Sequence, residues 1–103
     1  MRAAESKKAT AIRVLDLREV TTMADFFVIC TGANPRQIQT VAEEIGAQLA
    51  KQGEHALSVE GMRSAEWVLL DYGDLVVHVF SEAARAYYGL DRLWRHAREV
   101  PLP

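Results

Sequence analysis

Residues 66–80, EWVLLDYGDLVVHVF, constrain the fold of this chain more strongly than any other stretch. Two apolar runs flank the pair Gly73 and Asp74, and a glycine in the first position of a two-residue turn is typical of a type II′ hairpin. Such a turn puts Trp67 opposite Phe80 on neighbouring strands. The sequence therefore predicts a tight antiparallel hairpin that must bury at least one of its faces.

The two faces of this hairpin differ in composition, because side chains alternate along a strand. One face is aliphatic apart from a single tyrosine, and we predict that it belongs to the core. Its residues are Val68, Leu70, Tyr72, Leu75, Val77 and Val79. The opposite face, called the hairpin face below, combines large apolar side chains with an acid and an imidazole. Its residues are Trp67, Leu69, Asp71, Val76, His78 and Phe80.

The hairpin face allows two interpretations. An unpaired carboxylate is costly in a dry core, whereas tryptophan is frequent among the residues that dominate binding energy at protein interfaces. Either another protein covers this face, or helices of the same chain cover it and Asp71 pairs internally with His78. The alternation of residues leaves both interpretations open.

A catalytic or metal site built on the hairpin is not supported by the pattern. A metal site needs at least three well-placed ligands, but Asp74 lies in the turn and points away from Asp71 and His78. No nucleophile accompanies the histidine, since Cys30 lies inside the apolar stretch FFVICTG and no Gly-x-Ser-x-Gly sequence occurs. We therefore predict no catalytic residue, no bound metal and no cofactor.

The stretch ICTGANPRQ, where a predicted strand leads into a predicted helix, is a second candidate site. Free N–H groups at the helix N-terminus, together with Arg36, would attract an anion. The stretch contains one glycine and matches neither the Walker loop nor the dinucleotide fingerprint, which favours an ordinary capped turn. His55 and His96 have no partner motif and are predicted to be exposed.

Composition restricts the possible partners. The 103 residues, half of them apolar, fit a single domain spanning 1–103 with 101–103 as a tail. A net charge of −2 gives no basic excess for nucleic acid and suits a basic protein partner better. The single cysteine, Cys30, excludes an intrachain disulfide and predicts a reducing, cytoplasmic setting. No stretch has the roughly 20 apolar residues of a membrane span, so we predict a soluble protein without membrane association.

The rest of the chain shows the periods of helices and strands. The predicted elements are a lead-in helix at 3–9, strands at 11–17 and 25–31, a helix at 35–52 capped by Asn34, a strand at 55–61, the hairpin, a helix capped by Ser81, and a last helical segment at 90–97 with Leu90, Leu93, Trp94 and Ala97 on one side. This order predicts an α/β (α+β) fold with a single mixed five-stranded sheet packed with helices.

Several stretches resemble one family, the ribosomal silencing factors, also called Iojap-related proteins. They are LDLREV, ADFFVICTG, WVLLDYGDLVVHVF and YYGLDRLW, and the resemblance runs from about Lys8 to Trp94. The resemblance implies a nucleotidyltransferase-like topology without that enzyme class's catalytic motifs. It also implies a factor that binds a uL14-type protein on the intersubunit face of the large ribosomal subunit, blocks subunit joining when nutrients are scarce, and forms a homodimer off the ribosome. The alternative is a nucleotidyltransferase-like nucleotide-binding enzyme.

The family pattern falls on many positions of this chain. They are Asp25, Phe27, Gly32, Arg36, Glu60, Gly61, Trp67, Asp71, Gly73, Asp74, His78, Phe80, Arg85, Tyr88, Leu90, Leu93 and Trp94. Together with the hairpin face, this pattern predicts a set of partner-binding residues. The set is Trp67, Leu69, Asp71, Asp74, His78, Tyr88, Leu90, Asp91 and Trp94.

Overall fold

The computed structural model describes residues 2–102. Within this range the chain alternates short helices with the strands of one sheet. In chain order the elements are α1 (Arg2–Ser6), β1 (Thr10–Asp16), β2 (Phe26–Gly32), α2 (Pro35–Lys51), β3 (Ser58–Glu60), β4 (Trp67–Asp71), β5 (Leu75–Ser81), α3 (Glu82–Tyr88), α4 (Leu90–Leu93) and β6 (Arg98–Val100).

The sheet is mixed, as predicted. Its strand order is β3-β4-β5-β2-β1-β6, in which β2 and β5 are parallel and the other neighbours are antiparallel. The chain between β2 and β5 contains α2, which supplies the crossover that a parallel pair requires. The hairpin of β4 and β5 has the predicted register, with Trp67 opposite Phe80.

The prediction of five strands is wrong by one. β6 pairs antiparallel with the outer edge of β1. Three residues are too few to display an alternating pattern, so this strand could not be predicted from the sequence. It forms by pairing with residues that lie far away in the chain. The guanidinium of Arg13 in β1 lies 2.8 Å from the carboxylate of Glu99 in β6.

The last predicted helix is shorter than expected. α4 ends at Leu93, and Trp94 follows with a φ of −105° and a ψ of 27°. Leu90, Trp94 and Ala97 pack on one apolar cluster as predicted, but Leu93 is 65% exposed. The lead-in helix is also shorter than predicted, since α1 ends at Ser6.

α2 covers one face of the sheet and forms the larger core there. The side chain of Asn34 caps the helix by accepting a hydrogen bond from the N–H of Gln37 at 2.8 Å. Ile38, Val41 and Ile45 are fully buried at helical spacing. They pack against the aliphatic side of the hairpin, which confirms the predicted core face; its members in this cluster are Val68, Leu70, Tyr72, Leu75, Val77 and Val79.

α3 and α4 lie on the other face of the sheet and cover only part of it. The hydroxyl of Ser81 caps α3 by accepting a hydrogen bond from the N–H of Ala84 at 3.0 Å. A second apolar cluster forms beneath these helices around Leu15, Phe27 and Phe80. α3 contacts β5 and β2, whereas Trp67, Leu69 and Asp71 of β4 remain only half-buried. The hairpin face is therefore covered at its Phe80 end and open along β4.

Candidate partner-binding surface

Trp67 is the aromatic side chain of the hairpin face that is partly exposed. Its indole Nε1–H donates a hydrogen bond to Nδ1 of His78 at 3.0 Å. Its ring stacks on Phe80 at a centroid distance of 5.0 Å and lies 4.6 Å from the ring of Tyr88. The side chain is nevertheless half-buried and not enclosed. A large ring is thus held in one orientation while part of it stays accessible.

His78 lies beneath this surface, with only 3% of its area exposed. Its Nδ1 accepts the indole proton, so the neutral ring carries its own proton on Nε2, and Nε2 has no hydrogen-bond partner among residues 2–102. Burial lowers the pKa of His78 to about 4, which keeps the ring neutral near pH 7. Its ring also meets Phe27 edge-on at 4.5 Å.

The surroundings of His78 bear on two interpretations of the hairpin face. His78 is predicted to contact a partner, and its side chain is only 3% exposed and bonded to Trp67, so any effect on a partner would pass through Trp67. The internal pairing of Asp71 with His78 is also absent. A carboxylate oxygen of Asp71 instead accepts a hydrogen bond from the N–H of Gly73 at 2.8 Å.

Acidic groups border the open part of the hairpin face. Asp71 is half-buried and Asp74 is exposed in the turn. Glu60 of β3 pairs with Leu69 of β4, so both side chains project from the same face of the sheet. Glu60 is absent from the predicted contact set, because the register of a three-residue strand cannot be read from its sequence. Apolar groups with an acidic edge suit a partner that presents lysine or arginine.

Asp91 is engaged within the chain. Its carboxylate accepts two hydrogen bonds from Arg85, at 2.9 and 3.0 Å, and one from Arg13 at 2.8 Å. The hydrogen bonds from Arg85 are the largest cause, and together with the one from Arg13 they lower the pKa of Asp91 to about 2. Arg85 also donates hydrogen bonds to the hydroxyl of Thr31 and the carbonyl of Ala11. This network fixes α3 and α4 to β1 and β2, a role that sequence reasoning missed because the partners lie far apart in the chain.

The other predicted residues of the C-terminal segment divide into two groups. Tyr88 is 52% exposed and lies against Trp67, so it extends the hairpin face. Leu90 and Trp94 pack on the second apolar cluster, where Trp94 meets Phe27 edge-on at 5.8 Å. The exposed apolar side chains here are those of Tyr88, Tyr87 and Leu93, and the latter two are outside the predicted contact set.

The predicted turn before α2 offers few free donors to an anion. The N–H of Ala33 donates to the side chain of Gln37, and the N–H of Gln37 donates to that of Asn34. Among residues 2–102, no group of three or more histidine, cysteine or acidic side chains is arranged to hold a metal ion. Over the same residues, no helix is both long and apolar enough to cross a bilayer.

Comparison with known proteins identifies the family. The whole chain, residues 1–103, matches the family described as "Ribosomal silencing factor during starvation". The chain belongs to this family. It is 42% identical over 100 residues to the ribosomal silencing factor RsfS of Halalkalibacterium halodurans, covering 97% of this chain and 86% of the relative. It is 35% identical over 102 residues to the chloroplastic protein Iojap of Zea mays, covering 99% of this chain and 44% of the maize protein.

A solved structure has the same fold. A crystal structure of a Chromobacterium violaceum protein, 36% identical in sequence, matches with a TM-score of 0.88 over 91% of this chain and 78% of that one. The resemblance noted in the sequence is therefore confirmed, and so is a mixed sheet packed with helices.

Proposed function

We propose that this protein binds the large ribosomal subunit through the open part of the hairpin face together with Tyr88. The contact would be a uL14-type protein on the intersubunit face, and the bound domain would prevent the small subunit from joining. Family membership supports action on ribosomes. The choice of surface is supported by one observation above all: Trp67 is only half-buried, yet it is held in place by His78 and Phe80.

A fixed tryptophan is a favourable anchor for binding. Ordering a free side chain on binding costs about 0.5–1.5 kcal/mol, and the hydrogen bond to His78 removes part of this cost beforehand. Asp71 and Glu60 at the edge of the same face would meet basic groups and orient the encounter. Blocking subunit joining then requires only that the bound domain occupy space that the small subunit needs.

We propose that the protein acts without catalysis, without a cofactor and without direct nucleic-acid contact, in the cytoplasm. The support lies in the side chains themselves. The imidazole of His78 is 3% exposed and out of reach of a substrate, and the carboxylate of Asp91 is neutralised by two arginines. The net charge of −2 gives no overall basic excess that would attract phosphates.

We also propose that the protein forms a homodimer off the ribosome. Tyr87 and Tyr88 are 80% and 52% exposed and contact each other, and Tyr88 lies against Trp67, so the two rings leave a local apolar surface that a second copy would cover. Leu93 of α4, which is 65% exposed, would add to this contact. Because Tyr88 also borders the hairpin face, dimer formation and binding to the large subunit would compete.

The substitution Trp67→Ala tests the docking surface. Loss of a central aromatic anchor should cost about 2–4 kcal/mol of binding free energy, which weakens the affinity about thirtyfold to a thousandfold. Binding is measured by cosedimentation with purified large subunits, and joining by light scattering after small subunits are added. Circular dichroism first establishes that the variant is folded, because Trp67 also packs on Phe80.

Val20→Ala is the matched control. Val20 is 43% exposed and lies near Arg98 of β6, on the β1 side of the sheet away from β4. This variant should bind and block joining like the parent protein. If folded Trp67→Ala also binds and blocks equally well, the hairpin face is not the docking surface, and the exposed residues of α3 and α4 take its place.

A further inference from the structure

A groove of about 260 Å³ lies on the opposite side of the sheet from the hairpin face. It runs between α2 and the end of the sheet formed by β3 and β4. Leu70 and Tyr72 line it from the hairpin, Val59 from β3, Met62 from the following loop and Gly46 from α2. Most of this lining is apolar, and none of the contacts that hold Trp67 belongs to it.

Gly46 is the first sign that the groove is kept open. It lies within α2, where a glycine costs about 0.5–1 kcal/mol relative to alanine. A Cβ added at this position would meet no atom within 4 Å, so close packing does not require the glycine. Its φ is not among the positive values found in the chain, so the backbone does not require it either. A side chain here would instead enter the groove.

The free edge of β3 is the second sign. This strand ends the sheet and pairs only with β4 among the described residues. Leu57 and Val59, at the same edge, are 76% and 50% exposed. A free strand edge beside an apolar groove is the geometry that binds an extended peptide, because backbone groups supply hydrogen bonds and alternate side chains enter the groove.

The charges around the groove indicate the chemistry of its occupant. Glu43 and Glu54 line it. No lysine or arginine is among the described residues that line the groove. A basic segment would therefore be attracted and an acidic one repelled.

We propose that the groove and the free edge of β3 bind a short extended segment of a partner protein that carries lysine or arginine. The segment adds as a strand beside β3, inserts an apolar side chain between Gly46 and Val59, and aligns its basic groups with Glu43 and Glu54. This site is separate from the hairpin face and does not depend on the proposed ribosomal contact.

The test uses the full chain and a fluorescein-labelled peptide of about nine residues in which valine and lysine take turns at every second position and threonine fills the positions between, so that valine and lysine share the face toward the groove. Fluorescence anisotropy should detect binding, and a peptide with glutamate in place of each lysine should bind about tenfold more weakly or not at all. Gly46→Leu fills the groove and should weaken binding of the lysine peptide at least about tenfold. Its melting temperature should not fall, since leucine favours a helix more than glycine does.

Ala47→Leu is the matched control, because it adds the same side chain at the next, exposed position of α2, outside the groove. This variant should bind the lysine peptide like the parent protein. The proposal is overturned if the lysine peptide does not bind at about 1 mM, or if Gly46→Leu binds it as well as Ala47→Leu does. It is also overturned if sedimentation reveals a dimer that Gly46→Leu dissociates and Ala47→Leu does not, since the groove would then belong to a second copy.

Discussion

Mild acid should destabilise this protein through the imidazole of His78. The ring is buried against Phe27 and Phe80 and accepts the indole proton of Trp67 on Nδ1. Protonation would put a second proton on the ring, break that hydrogen bond and place a charge in an apolar environment. Burial accordingly lowers the pKa of His78 from its ordinary 6.5 to about 4.

The size and the direction of the effect follow from proton linkage. Between pH 6.5 and about 4 the unfolded chain binds this proton and the folded chain does not, so the free energy of unfolding falls as the pH falls. The contribution of neutral His78 is complete above pH 6.5. With about 1.4 kcal/mol for each pH unit between the two pKa values, about 2.5 kcal/mol should be lost between pH 7.5 and pH 4.5.

Urea unfolding followed by circular dichroism at these two pH values measures the loss. His78→Phe supplies the comparison, because phenylalanine fits the same aromatic surroundings and does not titrate. The variant should lose less stability than the parent by about 2.5 kcal/mol over this range. Asp91 has a pKa of about 2, so its effect on the pH dependence of stability falls mainly below pH 4.5. An equal loss in the parent and the variant would refute the assignment to His78.

Three further predictions concern charge and assembly. Asp71→Lys should weaken binding to large subunits most strongly at low salt, because it replaces attraction by repulsion on a partly exposed face; titrations at two salt concentrations measure this. Asp91→Ala should lower the free energy of unfolding, measured by urea titration, by about 1.5–3 kcal/mol, because Arg85 loses a bidentate partner. Glu99→Ala removes a more exposed ion pair and should cost less than about 1 kcal/mol in the same measurement. Sedimentation at about 100 μM should detect a dimer that Leu93→Glu dissociates, and a parent protein that is purely monomeric would contradict the proposed homodimer.

The parts of the fold that are local in sequence were predictable. The hairpin register follows from a glycine-first turn between two alternating runs, and α2 follows from its apolar period and from Asn34. β6 depends instead on pairing between Val14–Asp16 and residues more than eighty positions away. Its three residues carry no period of their own, so no local pattern distinguishes them from a tail.

For the candidate surface, the sequence predicts which residues share a face better than it predicts the burial and the contacts of each residue. Alternation assigns Trp67, Asp71 and His78 to one face, and that assignment is correct. Alternation does not predict how deeply a side chain is buried, because burial depends on where α3 ends and on how far the side chains of α3 reach over β5. The burial of His78 and the pairing of Asp91 with Arg85 both arise from such long-range packing.

A histidine at position 78 lowers the stability of the fold, and its hydrogen bond to Trp67 offers a reason why it is present. An apolar side chain would suit its position between Phe27 and Phe80, and it would leave no buried Nε2 without a partner. An apolar side chain could not accept the indole proton of Trp67. Stability therefore favours replacing the histidine, whereas a fixed tryptophan on an open sheet face requires it. That conflict is expected if the hairpin face is the proposed binding surface, because there the orientation of an anchor residue would take precedence over the stability of the fold around it.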